Sequence, residues 1–310
     1  MKVSQCKCVA FLLFCLTLII TCAVHGQQTQ TNPKFFEETK LKAEKGDAIA
    51  QYFLGVMYRE GKRVEKNHAN AEKWFRKAAE QNDENAQHDL GVMYANGEGV
   101  DRDFFEALKW YRKAAAQNHA QAQFQIANMY VEGFTVEMDF FEAMKWYRKA
   151  AEQNHAQAQF QIANMYEVGI GVERDFAEAM KWYRLAAEQN YVGAQFKLGV
   201  MFREGKKVVE DSVEAVKWFR KAAEQNDTDA QFALGMVYYN GLVIGNRNVV
   251  EAYAWWNLAA NASKRAAAER DLMEESMEAS KVLEAQKLSR ELRAIIEAKI
   301  EAQKNAPKKK

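Results

Sequence analysis

Cysteine is confined to the first 22 residues of this chain, and proline occurs only twice in its 310 residues. The four cysteines are Cys6, Cys8, Cys15 and Cys22. The rest of the chain therefore needs no disulfide and tolerates either redox compartment. The prolines, Pro33 and Pro307, leave residues 34–306 without the strongest helix breaker. This composition favours an all-helical protein.

The chain also lacks an excess of charge of either sign. Its 43 Lys and Arg residues balance 42 Asp and Glu residues, which gives a formal net charge of +1. Nucleic-acid-binding domains usually carry a marked basic excess, so we expect no nucleic-acid partner. The hydrophobic content of 48% supports a sizeable core, and the length suits one large domain or two ordinary ones.

A run of apolar residues long enough to cross a membrane is missing at the N-terminus. The apolar stretch there, residues 9–20, has 12 residues, whereas a helical span needs ~20. With Lys2 and Lys7 beside it, this stretch predicts a secretory signal peptide over residues 1–26 that is cleaved before Gln27. We therefore expect a secreted or periplasmic protein with no stable membrane span after cleavage. The alternative is an uncleaved signal that tethers the protein to the membrane.

The dominant feature of the sequence is a repeat of 36 residues. An Ala-Gln dipeptide occurs six times at that spacing, at 50–51, 86–87, 122–123, 158–159, 194–195 and 230–231. Every copy has a Tyr or Phe eight residues after this alanine and a Gly three residues later, and a Trp follows the glycine at a nearly constant distance. Such a register predicts a repeat architecture.

Each copy is predicted to form two helices. In the first copy Ala50, Leu54 and Met57 lie on one stripe of helical period. The glycine after the aromatic residue is expected to end the first helix, and an asparagine such as Asn82 to end the second, both in the left-handed conformation. A small residue at the position of Gly55 is expected to let the paired helices approach closely. One pair cannot bury its own apolar face, so the six pairs must stack as an α-solenoid.

The motif running from residue 86 to residue 116 carries a family resemblance. The order Ala-Gln, Leu-Gly, Tyr, Gly, Glu-Ala, Lys-Trp and Ala-Ala resembles the SEL-1-like repeat, a branch of the tetratricopeptide-type helical repeats. The resemblance covers residues 48–263, or 216 of 310 residues. It implies a role as a protein–protein scaffold or adaptor rather than a common chemistry.

The remaining segments are assigned by their position beside the repeats. Residues 27–47 are predicted to be a linker and a capping half-helix, and residues 264–304 two capping helices. Leu288 and Leu292 give the second of these helices a modest apolar stripe. We expect it to fold back on the repeats, the alternative being a coiled-coil dimer. Residues 305–310 are predicted to be a solvated basic tail.

The candidate partner-binding residues occupy three positions of the first helices. In helix-pair solenoids these helices line the concave side, and the positions of residues 52, 56 and 59 face away from the buried stripe. The chosen residues are Tyr52, His88, Phe124, Phe160, Phe196 and Phe232 at the first position, Asn128 and Asn164 at the second, and Arg59 and Arg203 at the third. Rings supply contact area and Asn can satisfy the backbone of a bound peptide. The alternative is that the rings pack between adjacent repeats.

A search for catalytic and metal-binding motifs finds none with the required spacing. No His-Glu-x-x-His, phosphate-binding glycine loop or Gly-x-Ser-x-Gly occurs, and no serine after the signal has a lysine three residues on. His119 and His155 are predicted to be solvated loop histidines. The carboxylate pairs Asp101 and Asp103, and Glu173 and Asp175, are predicted to cap helices, the alternative being acid/base pairs. We expect neither metal nor cofactor.

These observations predict a non-catalytic scaffold, a monomer or weak dimer, that binds a protein or peptide on its concave face. Two alternatives come from different classes of protein. One is a cell-wall-related enzyme of the penicillin-binding or β-lactamase-like kind, because some cysteine-rich relatives of the repeat are associated with penicillin. The other is a membrane-tethered assembly factor.

Overall fold

The computed structural model describes residues 33–205, 211–242 and 247–305. The regular structure of these residues consists of fifteen α-helices without a strand, which confirms the all-α prediction. Within the same ranges, no helix is both long and apolar enough to cross a bilayer. The predicted signal peptide and residues 306–310 of the predicted tail lie outside the described residues.

The chain divides into two compact units, Met1–Gln117 and Asn118–Lys310. The helices of the first unit are α1 (Pro33–Glu44), α2 (Ala48–Glu60), α3 (His68–Glu80), α4 (Glu84–Asn96) and α5 (Phe104–Ala116). Those of the second unit are α6 (Ala120–Glu132), α7 (Phe140–Glu152), α8 (Ala156–Val168), α9 (Phe176–Glu188), α10 (Val192–Glu204), α11 (Ser212–Ala223), α12 (Thr228–Tyr239), α13 (Val249–Ala259), α14 (Lys264–Ser276) and α15 (Ala279–Asn305).

The helices pair as hairpins in the order of the sequence repeats. In the first unit α2 packs on α3 and α4 on α5, and in the second unit the pairs are α6–α7, α8–α9, α10–α11 and α12–α13. Within each unit the second helix of a repeat also packs on the first helix of the next repeat. This confirms the predicted α-solenoid of helix pairs, with repeats one and two in the first unit and repeats three to six in the second.

The helix ends follow the predicted local rules. Gly61 ends α2 with φ of 69°, and the equivalent glycines of the other five copies also have positive φ. Asn82 follows α3 with φ of 65°, and four more asparagines repeat this conformation, namely Asn118, Asn154, Asn190 and Asn226. Gly tolerates this region because it has no Cβ, and Asn because its short polar side chain can form local hydrogen bonds.

A hydrogen-bonded pair of glutamines, one of them buried, gives the Ala-Gln anchor its role in the first five repeats. The buried side chain of Gln51 donates to the backbone oxygen of Ala43 at 3.0 Å and accepts a bond from the Gln81 amide at 2.7 Å. The second bond recurs at 2.7–2.9 Å for Gln87, Gln123, Gln159 and Gln195. Gln51 therefore bonds a carbonyl at the end of the preceding helix α1 while the glutamine at the end of α3, in its own hairpin, holds it in place.

Close approach of the paired helices is confirmed at the predicted small residues. A Cβ atom added to Gly199 would lie 2.5 Å from Cδ1 of Phe219, which is fully buried. The ring that fills the space belongs to the residue after the repeat tryptophan, whereas Trp74 lies under the ammonium group of Lys77 at 4.3 Å from the ring centroid. The same Lys–Trp stacking occurs at Trp110, Trp146 and Trp218.

Two helices follow the sixth repeat in the second unit, and the longer one, α15, folds back on α13. Leu292 on α15 is 6% exposed and joins the core of the second unit, and Ile296 is 4% exposed. The Lys299 ammonium group also forms an ion pair with Glu224 at the end of α11. The helix thus covers the end of the repeat stack, as expected for capping helices.

Candidate partner-binding groove

Three of the candidate residues, Tyr52, Arg59 and His88, form a closed polar cluster in the first unit. Asp89, 8% exposed, holds two of them together. One of its carboxylate oxygens lies 3.0 Å from Nη1 of Arg59 and the other lies 3.0 Å from Nδ1 of His88. Burial, and then the charge of Asp89, raise the pKa of Tyr52 to about 12. These polar groups bind each other across repeats one and two.

The rings at the first candidate position pack on the second helix of their own repeat, and Phe124 and Phe160 also contact the residue before the next helix, His155 and Tyr191. Phe124 lies 5.6 Å from Tyr147, and Phe160 lies 5.6 Å from Tyr183, measured between ring centroids. The same stacking joins Phe196 to Phe219 at 5.7 Å. Phe124 is 8% exposed, while the other candidate rings are half-buried. The rings therefore have a structural role in their own hairpin, in addition to any role in binding.

His155 is not a solvated loop residue, which corrects the prediction for it. Its Nδ1 atom accepts a 3.1 Å bond from the Ala158 amide and caps α8, while Nε2 lies 2.7 Å from Oε1 of Gln121. Its ring stacks on Phe124 with centroids 4.8 Å apart. His119 caps α6 in the same way, through the amide of Ala122 at 3.2 Å. Both histidines stand where Asp47, Asp83 and Asp227 cap three of the other first helices. Of the predicted capping pairs, Asp103 is the N-cap of α5 and Asp175 the N-cap of α9, whereas Asp101 and Glu173 are not N-caps.

A groove of about 370 Å³ lies between repeats three and four of the second unit. It contains three of the predicted residues: Phe124, Asn128 and Asn164. The other lining residues, which sequence reasoning did not select, are Val131, Glu132, Phe140, Tyr147, Gln161, Met165, Val168 and Ile170. Most of these side chains are apolar, and a few polar groups stand among them. This mixture is typical of sites that take an apolar ligand group and orient it by hydrogen bonds.

The amide groups of the groove are held in fixed orientations. The hydroxyl of Tyr147 donates to Oδ1 of Asn128 at 2.7 Å. Burial raises the pKa of Tyr147, so the hydroxyl stays protonated. On the facing helix Nδ2 of Asn164 donates to Oε1 of Gln161 at 3.1 Å. Each amide keeps further hydrogen-bonding capacity, because a carboxamide carries two N–H donors and two acceptor positions.

Two residues that line the groove are uncharged where other repeats carry an ion pair. In repeats four and five Glu167 and Lys197, 30 residues apart, form an ion pair of 2.9 Å. Arg59 and Asp89 form the corresponding pair in repeats one and two. The equivalent residues of repeats three and four are Val131 and Gln161, which line the groove instead of bridging it. In the sequence, the equivalent positions Ala95 and Gln125, and Arg203 and Ala233, also lack a pair of opposite charges.

The remaining predicted residues do not line the groove. Nη2 of Arg203 lies 3.4 Å from Oε1 of Glu204, and the Arg203 guanidinium group lies above the ring of Phe219. Phe232 stacks on Trp256, and Arg265 lies above the ring of Phe232. A role for these residues in binding stays a prediction. Among the described residues, no group of three or more His, Cys, Asp or Glu side chains is placed to hold a metal ion.

The profile of the Sel1 repeat matches six consecutive segments: 48–83, 85–119, 120–155, 156–191, 192–227 and 228–264. The chain belongs to the Sel1 repeat family. Sel1 repeat proteins are generally protein-interaction scaffolds. The groove therefore lies between the third and fourth Sel1 repeats.

Two crystal structures of Sel1 repeat proteins are similar to this chain. A Sel1 repeat protein from Oxalobacter formigenes is 32% identical, with a TM-score of 0.65 over 74% of this chain and 100% of that one. The protein c5321, a protective antigen of uropathogenic Escherichia coli with an SLR fold, is 30% identical, with a TM-score of 0.52 over 89% of this chain and 67% of that one. No curated protein sequence matches this Sel1 repeat protein.

Proposed function

We propose that this Sel1 repeat protein is a non-catalytic scaffold that holds a peptide segment of a partner protein in the groove between repeats three and four. The observation that carries this proposal is the open groove at Val131 and Gln161, beside the corresponding ion pair Glu167–Lys197. Family membership supports the scaffold role, because Sel1 repeat proteins generally act in this way. Helix-pair surfaces commonly bind peptides through such apolar grooves with polar rims.

The partner segment would contact both halves of the groove. An apolar side chain of the segment has room against Phe124 and Met165, and the amides of Asn128 and Gln161 are placed beside the path of its backbone. A volume of about 370 Å³ is at the lower end of the ~300–1,000 Å³ of ligand pockets. We therefore propose a short segment with one large apolar side chain as the principal contact.

The ion pair of repeats four and five supplies a direct test. Substituting Val131→Glu and Gln161→Lys places the pair Glu167–Lys197 in the groove of repeats three and four. We call this the closed variant. Repeats three and four are identical over residues 118–130 and 154–166, so repeat four already accommodates a glutamate after this segment. We expect the closed variant to fold as the wild type does, measured by helical circular dichroism and thermal unfolding.

A photo-reactive amino acid at the groove measures partner contact. Val168 lines the groove and is 61% exposed, whereas Leu283 on α15 is equally accessible at 64% and lies outside it. With the reactive residue at position 168 we expect one discrete cross-linked partner. The same cross-link should disappear in the closed variant, and it should not form when the reactive residue is at position 283. Equal cross-linking from both positions, or unchanged cross-linking in the closed variant, would contradict the proposal.

We further propose that the scaffold acts outside the cytoplasm, in the periplasm or after secretion. The support is the predicted signal peptide of residues 1–26. Mass spectrometry of the protein from its source is expected to find Gln27 as the first residue. A chain that still begins with Met1 in a membrane fraction would favour the membrane-tethered alternative instead.

A further inference from the structure

The charge of the groove is set by a single residue. Glu132 is the one charged side chain that lines it, and it is exposed. Within the ranges that the structure describes, Glu132 forms no ion pair, unlike Glu167 of the next repeat, which binds Lys197. Its charge also contributes, after burial, to raising the pKa of Tyr147 at the groove. The groove therefore has an uncompensated negative charge.

The backbone adds negative potential to the groove near Glu132. Helix α6 ends at Glu132 and helix α8 at Val168, and both residues line the groove. The C-terminus of a helix carries a partial negative charge of ~0.5 electron. Two helix C-termini and a carboxylate thus lie together, and none of the lining residues is a lysine or arginine.

We infer that the groove recognises a cationic apolar segment, in which a large apolar side chain stands next to a lysine or arginine. This inference rests on the proposed function and specifies the chemistry of its partner. The apolar side chain packs against Phe124, Phe140 and Met165, and the cation lies beside the Glu132 carboxylate. A purely apolar segment would remove water from this carboxylate without replacing it by a counter-charge, which is unfavourable. An acidic segment would be repelled.

A library of random twelve-residue peptides displayed on phage tests the inference. The bait is the chain from Gln27 to Lys310, and four forms are compared: the wild type, the closed variant, Glu132→Lys and Glu152→Lys. Glu152 is exposed at the end of α7 and does not line the groove, so its substitution is a control with the same change of net charge.

The expected result is enrichment by the wild type of peptides with an apolar residue within two positions of Lys or Arg. Enrichment should be lost in the closed variant and retained by Glu152→Lys. Glu132→Lys should bind a selected peptide about three- to tenfold more weakly, as expected for reversing one charge at the rim of an interface. Replacing the cation of that peptide by Glu should restore its binding to Glu132→Lys.

The two ways of failing are distinguishable. Peptides that bind the wild type but not the closed variant, yet lack a preference for Lys or Arg and bind Glu132→Lys equally well, would overturn the inference about charge and leave groove binding intact. Enrichment that does not differ between the wild type and the closed variant would overturn the proposed groove function, and the inference with it.

Discussion

The side-chain amide of Gln189, at the end of α9, donates a 2.7 Å hydrogen bond to the buried side-chain oxygen of Gln159 on α8. The amide of Gln159 in turn donates to the backbone oxygen of Ala151 in α7, at 3.3 Å. One buried side chain therefore joins three helices of two repeats. The same two bonds occur at Gln51, Gln87 and Gln195, which gives the Ala-Gln dipeptide a structural role in these repeats.

Removing this junction should destabilise the second unit. Substituting Gln159→Leu keeps the volume of the side chain but removes its hydrogen bonds to the Ala151 oxygen and from the Gln189 amide. The Ala151 oxygen keeps its bond from the Asn154 amide. We therefore expect a loss of about 0.5–1.5 kcal/mol in the free energy of unfolding, the usual net contribution of a hydrogen bond. Urea denaturation followed by circular dichroism measures it. Gln189→Ala, at the exposed side of the junction, should cost less, and a Gln159→Leu variant as stable as the wild type would refute this role.

Close packing should make an alanine unfavourable at Gly199, although alanine is the better helix former by ~1 kcal/mol. The new Cβ would lie 2.5 Å from the buried ring of Phe219. We expect Gly199→Ala to lower stability by about 1–3 kcal/mol through overpacking. The control is Gly193→Ala in the same helix, where the nearest atom would be 3.3 Å away in the half-buried ring of Tyr191. Thermal unfolding that ranks the two variants in the opposite order would contradict the packing argument.

Stability should fall when an asparagine in the left-handed conformation is replaced by alanine, but not when it is replaced by glycine. Asn154 has φ of 61° between α7 and α8. Alanine disfavours this region, so Asn154→Ala is expected to cost ~1 kcal/mol, whereas Asn154→Gly should be close to neutral. The melting temperatures of the two variants give the comparison. Equal melting temperatures for the alanine and glycine variants would mean that the backbone conformation contributes little.

His155 should make stability depend on pH. Burial lowers its pKa from the ordinary value of 6.5, because its neutral Nδ1 caps α8 inside the packing against Phe124. The unfolded chain therefore binds a proton at a higher pH than the folded chain does. The contribution of His155 to the free energy of unfolding is fully present above pH ~6.5. It falls as the pH drops below that value and stops falling once the folded form is also protonated.

The measurement is the difference in unfolding free energy between the wild type and His155→Asn across pH 5–8. Asparagine caps α3 and α13 in this protein and does not titrate, so the variant retains a cap. The wild type should lose stability relative to the variant as the pH falls. A constant difference across the range would show that protonation of His155 is not coupled to folding.

Features determined by neighbours along the chain were predictable. Glycine after the first helix, asparagine after the second and aspartate before α5 act through backbone geometry and hydrogen bonds within a few residues, and all were found as expected. The two histidine caps are also local features, but they were not predicted. Histidine is rarely an N-cap, so its role emerged only from the repeat register and from the contact of His155 with Gln121.

The candidate site was only partly predictable. Phe124, Asn128 and Asn164 were selected because they face one side of the first helices, and the structure places them together. The same reasoning also selected Tyr52 and Arg59, which are bound into a cluster around Asp89. A helical wheel cannot separate these cases, since the deciding side chain comes from the next repeat.

The sequence by itself determined the number of repeats, their helix pairs, the ends of those helices and the family, because all of these follow from a strict spacing of 36 residues and from local backbone preferences. Only the tertiary structure decided where the stack is open. That depends on two residues 30 positions apart in the sequence. Glu167 and Lys197 attract each other, whereas Val131 and Gln161 are uncharged and line the groove. Packing brings such residues within range of one another, and no periodicity within a single helix records it.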